Sequence, residues 1–237
     1  MNNSAKIAMA AAAVLVVAFL GVQFLLPSAT PGVSGPTPSP TPSPSPLVFR
    51  IGALEAGTYT THPSGFAGNA IGVTFTVPDG WRAFNDGGLL PDGEGSSAGP
   101  DGMAVAFANV QRLHSDPCHA TVADVEVGPT VDDLVSAFAE HPAWEASEPT
   151  DVTLGGYAGQ RIDLQLPSDL SACTRGEFYP WQGSAYAQGP DNRWHLWIID
   201  VEGTRVVVLA QDFPGTPADD RAEMLGIVDS IEFSVDR

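Results

Sequence analysis

Cys118 and Cys173 are the two thiols of the chain. In an exported domain an isolated cysteine pair oxidises, so the pair is expected to form a structural disulfide. Around the first of them, His114-Ser115-Asp116-Pro117-Cys118-His119 concentrates side chains that ligate metals. The spacing matches no zinc pattern, and oxidation of Cys118 leaves His114, Asp116 and His119 as the candidate ligand set. Asp86, Asp92, Glu94 and Asp101 stand in a glycine-rich stretch with the oxygen ligands that calcium takes. The twelfth position counted from Asp92 is Met103, where a calcium-binding EF-hand loop needs a bidentate glutamate, so these acids read as a solvated loop. Phe178, Tyr179, Trp181, Tyr186, Trp194 and Trp197 gather within twenty residues. Such a set fills a core or lines a groove, and Trp181, Tyr186, Trp194 and Trp197 are the groove candidates. His195, between Trp194 and Leu196, reads as a packed sheet residue. The sequence contains no HExxH helix, phosphate loop or dinucleotide fingerprint. No catalytic residue is assigned, and no cofactor is expected.

The elements that would position these groups follow from hydrophobic period. Ile71, Val73, Phe75 and Val77 alternate with smaller or polar residues and run into Pro78-Asp79-Gly80, which predicts a half-buried strand and a turn. Asn85 to Gly102 lacks periodicity and reads as a long loop, and Met103 to Val110 as a buried strand. Thr130 caps a helix in which Val131, Leu134, Val135 and Phe138 share one face, with Asp132 and Asp133 where the helix dipole favours acids. Arg161 to Leu166 alternates as a strand, and Ser184 to Gln188 as a weaker one. Trp194 to Val201 and Arg205 to Gln211 form a hairpin about Glu202-Gly203. A second helix is expected from Thr216 with Pro217 in its first position, burying Met224, Ile227, Val228 and Ile231. Strand runs joined by short connections favour an antiparallel sheet with helices on one face.

Before this domain lie two segments of different character. Ile7 to Leu26 is free of charge and, at helical rise, spans roughly 30 Å, the hydrocarbon thickness of a bilayer. Residues 7–26 are therefore expected to be a transmembrane signal anchor, with residues 1–6 cytoplasmic because Lys6 is the cation beside it. Cleavage after Ala29 would instead release a secreted protein. Residues 27–46, ending in alternating prolines with Ser and Thr, predict an extended spacer. Residues 47–237 form the extracytoplasmic domain. Past Pro46, nine arginines face all 28 acids, and a field of that sign repels phosphate backbones, so nucleic acid is excluded as a natural partner.

Asp116-Pro117-Cys118-His119, the run Val127 to Val135, Pro149 to Thr153 with Gly156-Tyr157-Ala158-Gly159, and Leu196 to Arg205, Phe213 to Thr216 and Ile227 to Ile231 resemble a family of uncharacterised exported or membrane-anchored bacterial domains. The resemblance implies an anchored or secreted domain and assigns no activity. The helix, strand meander and closing Ile227-Val228-Asp229-Ser230-Ile231 also look like the PsbP-type α/β/α sandwich. The expected fold is therefore α+β, an antiparallel sheet packed with two helices. The expected role is non-catalytic binding at the cell envelope, with the membrane as one partner through the N-terminal helix and an envelope protein or small ligand as the other. An exported hydrolase with an unrecognised site and an extracytoplasmic sensor are the alternatives.

Overall fold

The computed structural model describes residues 45–64, 66, 71–93, 96–119, 123–183 and 186–235. The expected anchor (7–26) and nearly all of the expected spacer (27–46) lie outside them. Among the described residues, no helix is long and apolar enough to cross a membrane.

The chain begins with short strands β1 (Leu47–Val48), β2 (Gly52–Ala53) and β3 (Gly57–Thr61). Next come β4 (Ile71–Val77), β5 (Trp81–Asn85), β6 (Gly88–Pro91), β7 (Ala104–Ala108), β8 (Arg112–Leu113) and β9 (Val125–Glu126). Helix α1 (Val131–Glu140) leads to β10 (Glu145–Ala146), β11 (Thr150–Leu154), β12 (Tyr157–Gln165), β13 (Arg193–Val201) and β14 (Thr204–Asp212). Helix α2 (Ala218–Asp229) and β15 (Glu232–Val235) close the domain. These strands form a nine-stranded sheet in the order β10-β12-β13-β14-β7-β6-β5-β2, with β11 also on β12. A four-stranded sheet β1-β3-β4-β15 and the two-stranded ribbon β8-β9 complete the set.

This corrects the expected fold class. About 41% of the described residues are strand and 14% helix, in three sheets with two α-helices. The fold is β-rich and is not an α+β PsbP-like sandwich. The physical reason lies in short strands that carry too few residues to show a period. In β3 only Tyr59 and Thr61 are buried, and β1, β2, β8, β9 and β10 have two residues each. The stretch Asn85 to Gly102, read as a loop, contains β6.

Two cores lie on opposite faces of the large sheet, as the two-residue period of β13 and β14 requires. Trp197, Ile199 and Val201, with Val206, Val208 and Ala210, pack against Phe75, Val77 and the α2 residues Met224, Ile227 and Val228. Trp194, Leu196 and Ile198, with Val207 and Leu209, pack against Leu134, Val135 and Phe138 of α1. The helices therefore cover opposite faces, against the expectation that both share one, because the small sheet and α2 together bury the first face.

Local signals hold where the sequence carries them. Glu202 (φ 48°) and Gly203 (φ 85°) make the β13–β14 turn, the positive-φ pair that matches strand twist in a two-residue hairpin. Thr130 and Asp133 form a reciprocal capping box at α1. Pro217 is the cap of α2 rather than its first residue. Gly159 sits where an added Cβ would meet the Ile198 carbonyl at 2.1 Å, so only glycine lets β12 approach β13 there. Both cores and the disulfide lie within Pro44–Arg237, which is one compact unit by its own contacts.

Candidate functional site

Cys118 and Cys173 are joined in a disulfide with their Cα atoms 4.3 Å apart. The bond ties the stretch after β8 to the turn at Thr174–Gly176, and backbone bonds run beside it: Thr174 N donates to Cys118 O at 3.0 Å and Tyr179 N to Pro117 O at 3.0 Å. Of the metal candidates, Asp116 and His119 meet, Nδ1 to Oδ2 at 3.0 Å, on the surface. That hydrogen bond to His119 is the main reason the Asp116 carboxyl is held below its usual range. His114 is buried, its carbonyl lies 3.0 Å from His141 Nε2, and among the described residues its Nδ1 has no hydrogen-bond partner. Among the described residues, no group of three His, Cys, Asp or Glu side chains is placed to hold a metal ion. In the acidic stretch, Asp86 accepts from Ser64 N at 2.8 Å and Asp92 lies 3.9 Å from Arg82; Glu94 is outside the described residues.

The aromatic candidates divide between the two cores. Trp181 and Trp194 pack with ring centroids 4.7 Å apart on the α1 side, and Trp197 is buried on the α2 side. Tyr186 stays partly exposed against Tyr179, at 5.3 Å. The Arg161 guanidinium lies 4.9 Å over the Trp197 ring, a cation–π contact.

Sequence reasoning missed a charged cluster at the α2 side of the large sheet. Asp163 on β12 faces His195 on β13, and Ala210 faces His195 from β14, two residues before Asp212. His195 Nδ1 lies 3.0 Å from Asp163 Oδ1, and its Nε2 is 3.6 Å from Asp212 Oδ1, an ion-pair distance rather than a hydrogen bond. Arg161 grips Asp163 with two bonds of 2.9 and 3.0 Å. Arg193 Nε is 2.7 Å from the fully buried Asp212, and Arg221 of α2 bonds its other oxygen. Arg193 and Arg221 also share the Phe213 carbonyl. Buried Asn192 donates to the Asp212 carbonyl at 3.0 Å and accepts from Trp194 Nε1 at 2.8 Å.

Ionisation in this cluster follows its geometry. Burial pushes the Asp163 carboxyl up, but the hydrogen bonds from His195 and Arg161 outweigh it and bring it down to about 2. Burial likewise opposes charge on Asp212, and His195, Arg221 and Arg193 together hold it below its usual range. For His195 burial disfavours the cation, yet Asp163 and Asp212 on either side raise it above the ordinary imidazole value. Perturbed groups mark catalytic sites and structural ion networks alike. Here both ring nitrogens face carboxylates, and each carboxylate is held by guanidinium. These pairings make the cluster a lock between β12, β13, β14 and α2, and among the described residues His195 Nε2 makes no hydrogen bond. The signal that could have found it was Arg161, Asp163, Arg193 and His195 at two-residue spacing on neighbouring strands.

Space for a ligand lies at the opposite face, around the first turn of α1. One open groove of about 530 Å³ runs between that turn and the ends of β11 to β14, with Asp132, Asp151, Asp200 and Gln160 in its wall. Arg205 also borders it, but its guanidinium turns to the carbonyls of Val110, Gly128 and Thr130. A second groove of about 510 Å³ lies between α1 and β9. Asp132 borders both grooves.

Among known proteins, no family model matches the chain, and no curated protein does. One solved structure, LpqN, involved in cell envelope biogenesis of Mycobacterium tuberculosis, is similar at 13% identity and a TM-score of 0.37, covering 75% of this chain and 91% of that one. At that level the likeness carries neither fold nor activity across. The disulfide is the independent sign of an oxidising, extracytoplasmic compartment.

Proposed function

We propose that this protein is a non-catalytic binding module held at the cell envelope by its N-terminal apolar segment, with its ligand surface at the two grooves that flank α1. The observation that carries this reading is the contrast between the two polar regions of the domain. The one around Asp212 is closed on itself by arginine–carboxylate pairs, whereas the one beside α1 has open volume with acids facing solvent. Ligand sites are concave and carry a few fixed polar groups. An envelope protein or a small ligand of cationic character suits walls built from Asp132, Asp151 and Asp200.

The test is crosslinking in cells that express the full chain with a photoreactive residue in place of Ser136 or Gln160, followed by mass spectrometry of the products. The expected result is a discrete envelope partner captured from these positions and none from Arg161 in the charged cluster. Capture from the cluster and never from the grooves would reverse the assignment.

A further inference from the structure

The β8–β9 ribbon has one covered edge and one bare edge. On the covered side Gln182 N donates to Arg112 O at 3.2 Å and His114 N to Pro180 O at 3.1 Å, while Leu113 bridges to Trp181. Backbone groups of successive strand residues point to opposite sides, so Leu113 turns its own N–H and C=O to β9, where it faces Val125. Val127 N donates to Gln111 O at 3.0 Å in the same phase. Arg112 and Glu126 are thus the non-hydrogen-bonded pair, and the N–H and C=O of Glu126 point away from β8. Among the described residues no strand pairs with that side of β9.

This bare edge opens on the second groove. Val125, Glu126, Val127 and Gly128 all border it in succession. A groove bordered by four successive residues runs along β9. Its floor is apolar, with the half-buried Val125, Val127 and Ala137 over the buried Leu113. Its rim is acidic. Glu126 already bonds Arg112 at 2.8 Å and Asp133 is engaged in the capping box, which leaves Asp132 and Glu140 of α1 as the charges that face an incoming chain.

We propose that this groove takes an extended, basic peptide segment of an exported partner, added as a third strand to β9. Its backbone pairs with Glu126, its small apolar side chains meet Val127 and Ala137, and its cationic side chains reach Asp132 and Glu140. An exposed strand edge gives affinity through main-chain bonds, and alternate side-chain pockets give specificity. Charge complementarity selects the sign, since an acidic segment would meet the excess of carboxylates on the whole domain. The inference rests on the binding reading above and names the partner's chemistry.

Three synthetic pentapeptides, acetylated and amidated, test it by nuclear magnetic resonance titration of residues 47–237: Lys-Val-Lys-Val-Lys, Glu-Val-Glu-Val-Glu, and the lysine peptide N-methylated on alternate amides. The lysine peptide is expected to shift residues 125–128 and the groove side of α1. The other two should bind at least tenfold more weakly. In the protein, Glu126→Pro removes the outward N–H while the backbone bonds of Leu113 and Gln111 to β9 remain, so it should weaken binding tenfold, and Glu126→Gln, which loses the same Arg112 ion pair, by less than threefold. Ala137→Phe should block the groove. Equal binding of the glutamate or N-methylated peptide, or shifts spread over the acidic surface, would overturn strand addition even if Glu126→Pro failed to fold. Failure here with groove crosslinks still seen in cells would reject only the strand-addition mode, whereas crosslinks away from α1 would remove the site itself.

Discussion

At the scale of single residues, Asp212 carries the largest consequence. Its side chain is fully buried and answers Arg193, Arg221 and His195 at once. Asp212→Asn would leave two guanidiniums facing a neutral amide. Removing one partner of a buried pair costs about 3–5 kcal/mol, and the partial exposure of both arginines places the expected loss near about 3 kcal/mol. Urea unfolding of the domain measures it, and a loss below about 1 kcal/mol would show that the network is ornamental. His195 gives the matching pH dependence. Its folded value is raised, so the stability it confers is full below the unfolded imidazole value of about 6.5 and is lost as pH rises through the folded value. Asp163 has the opposite sense: its contribution is present above about 3.9 and is lost as pH falls towards about 2. The melting temperatures of wild type and His195→Gln should therefore differ most between about pH 4 and 6.5 and converge in alkali. A gap that stays constant with pH in calorimetry would refute the lock. Neither residue announced this role in the sequence, where His195 read as a packed sheet residue. Its charge partners come from positions 163 and 212, and only strand register brings them within reach.

The elements divide by how much local signal they carry. Helix α1 was legible because Thr130, Asp133 and the apolar positions Leu134, Val135 and Phe138 each obey a helix rule within one stretch of chain. Thr130→Ala removes the cap and is expected to cost about 1 kcal/mol, read from the urea midpoint. The β13–β14 hairpin was legible for the same reason, because Glu202-Gly203 separates two long apolar runs. The ribbon β8–β9 was not. Two residues cannot display a period, and Arg112 and Glu126 look like ordinary surface charges until their cross-strand bond is seen. The fold class failed at this scale. Strands of two to five residues hold their places through neighbours distant in sequence, so counting only the strong periodic segments overstates the helices.

For the whole molecule, the disulfide and the charge balance set the terms. Cys118 and Cys173 close a loop of 55 residues that spans α1 and the strands β9 to β12. In the chain-entropy account such a loop stabilises by about 4 kcal/mol. Reduction, or Cys118→Ser with Cys173→Ser, should lower the unfolding free energy by about 2–4 kcal/mol, and an unchanged urea midpoint with and without reductant would contradict it. What the sequence by itself determined is whatever depends on neighbours in the chain. The apolar stretch 7–26, the proline-rich composition of 27–46, the acidic excess, the capped helix and the long hairpin can all be read from adjacent residues. Tertiary structure alone decided the two cores on opposite faces of one sheet, the ion lock around Asp212, and the bare edge of β9 beside α1. Each of these is set by sheet register between segments tens of residues apart, and register is a property of the packed molecule, because a shift of one residue would exchange every inward side chain for an outward one.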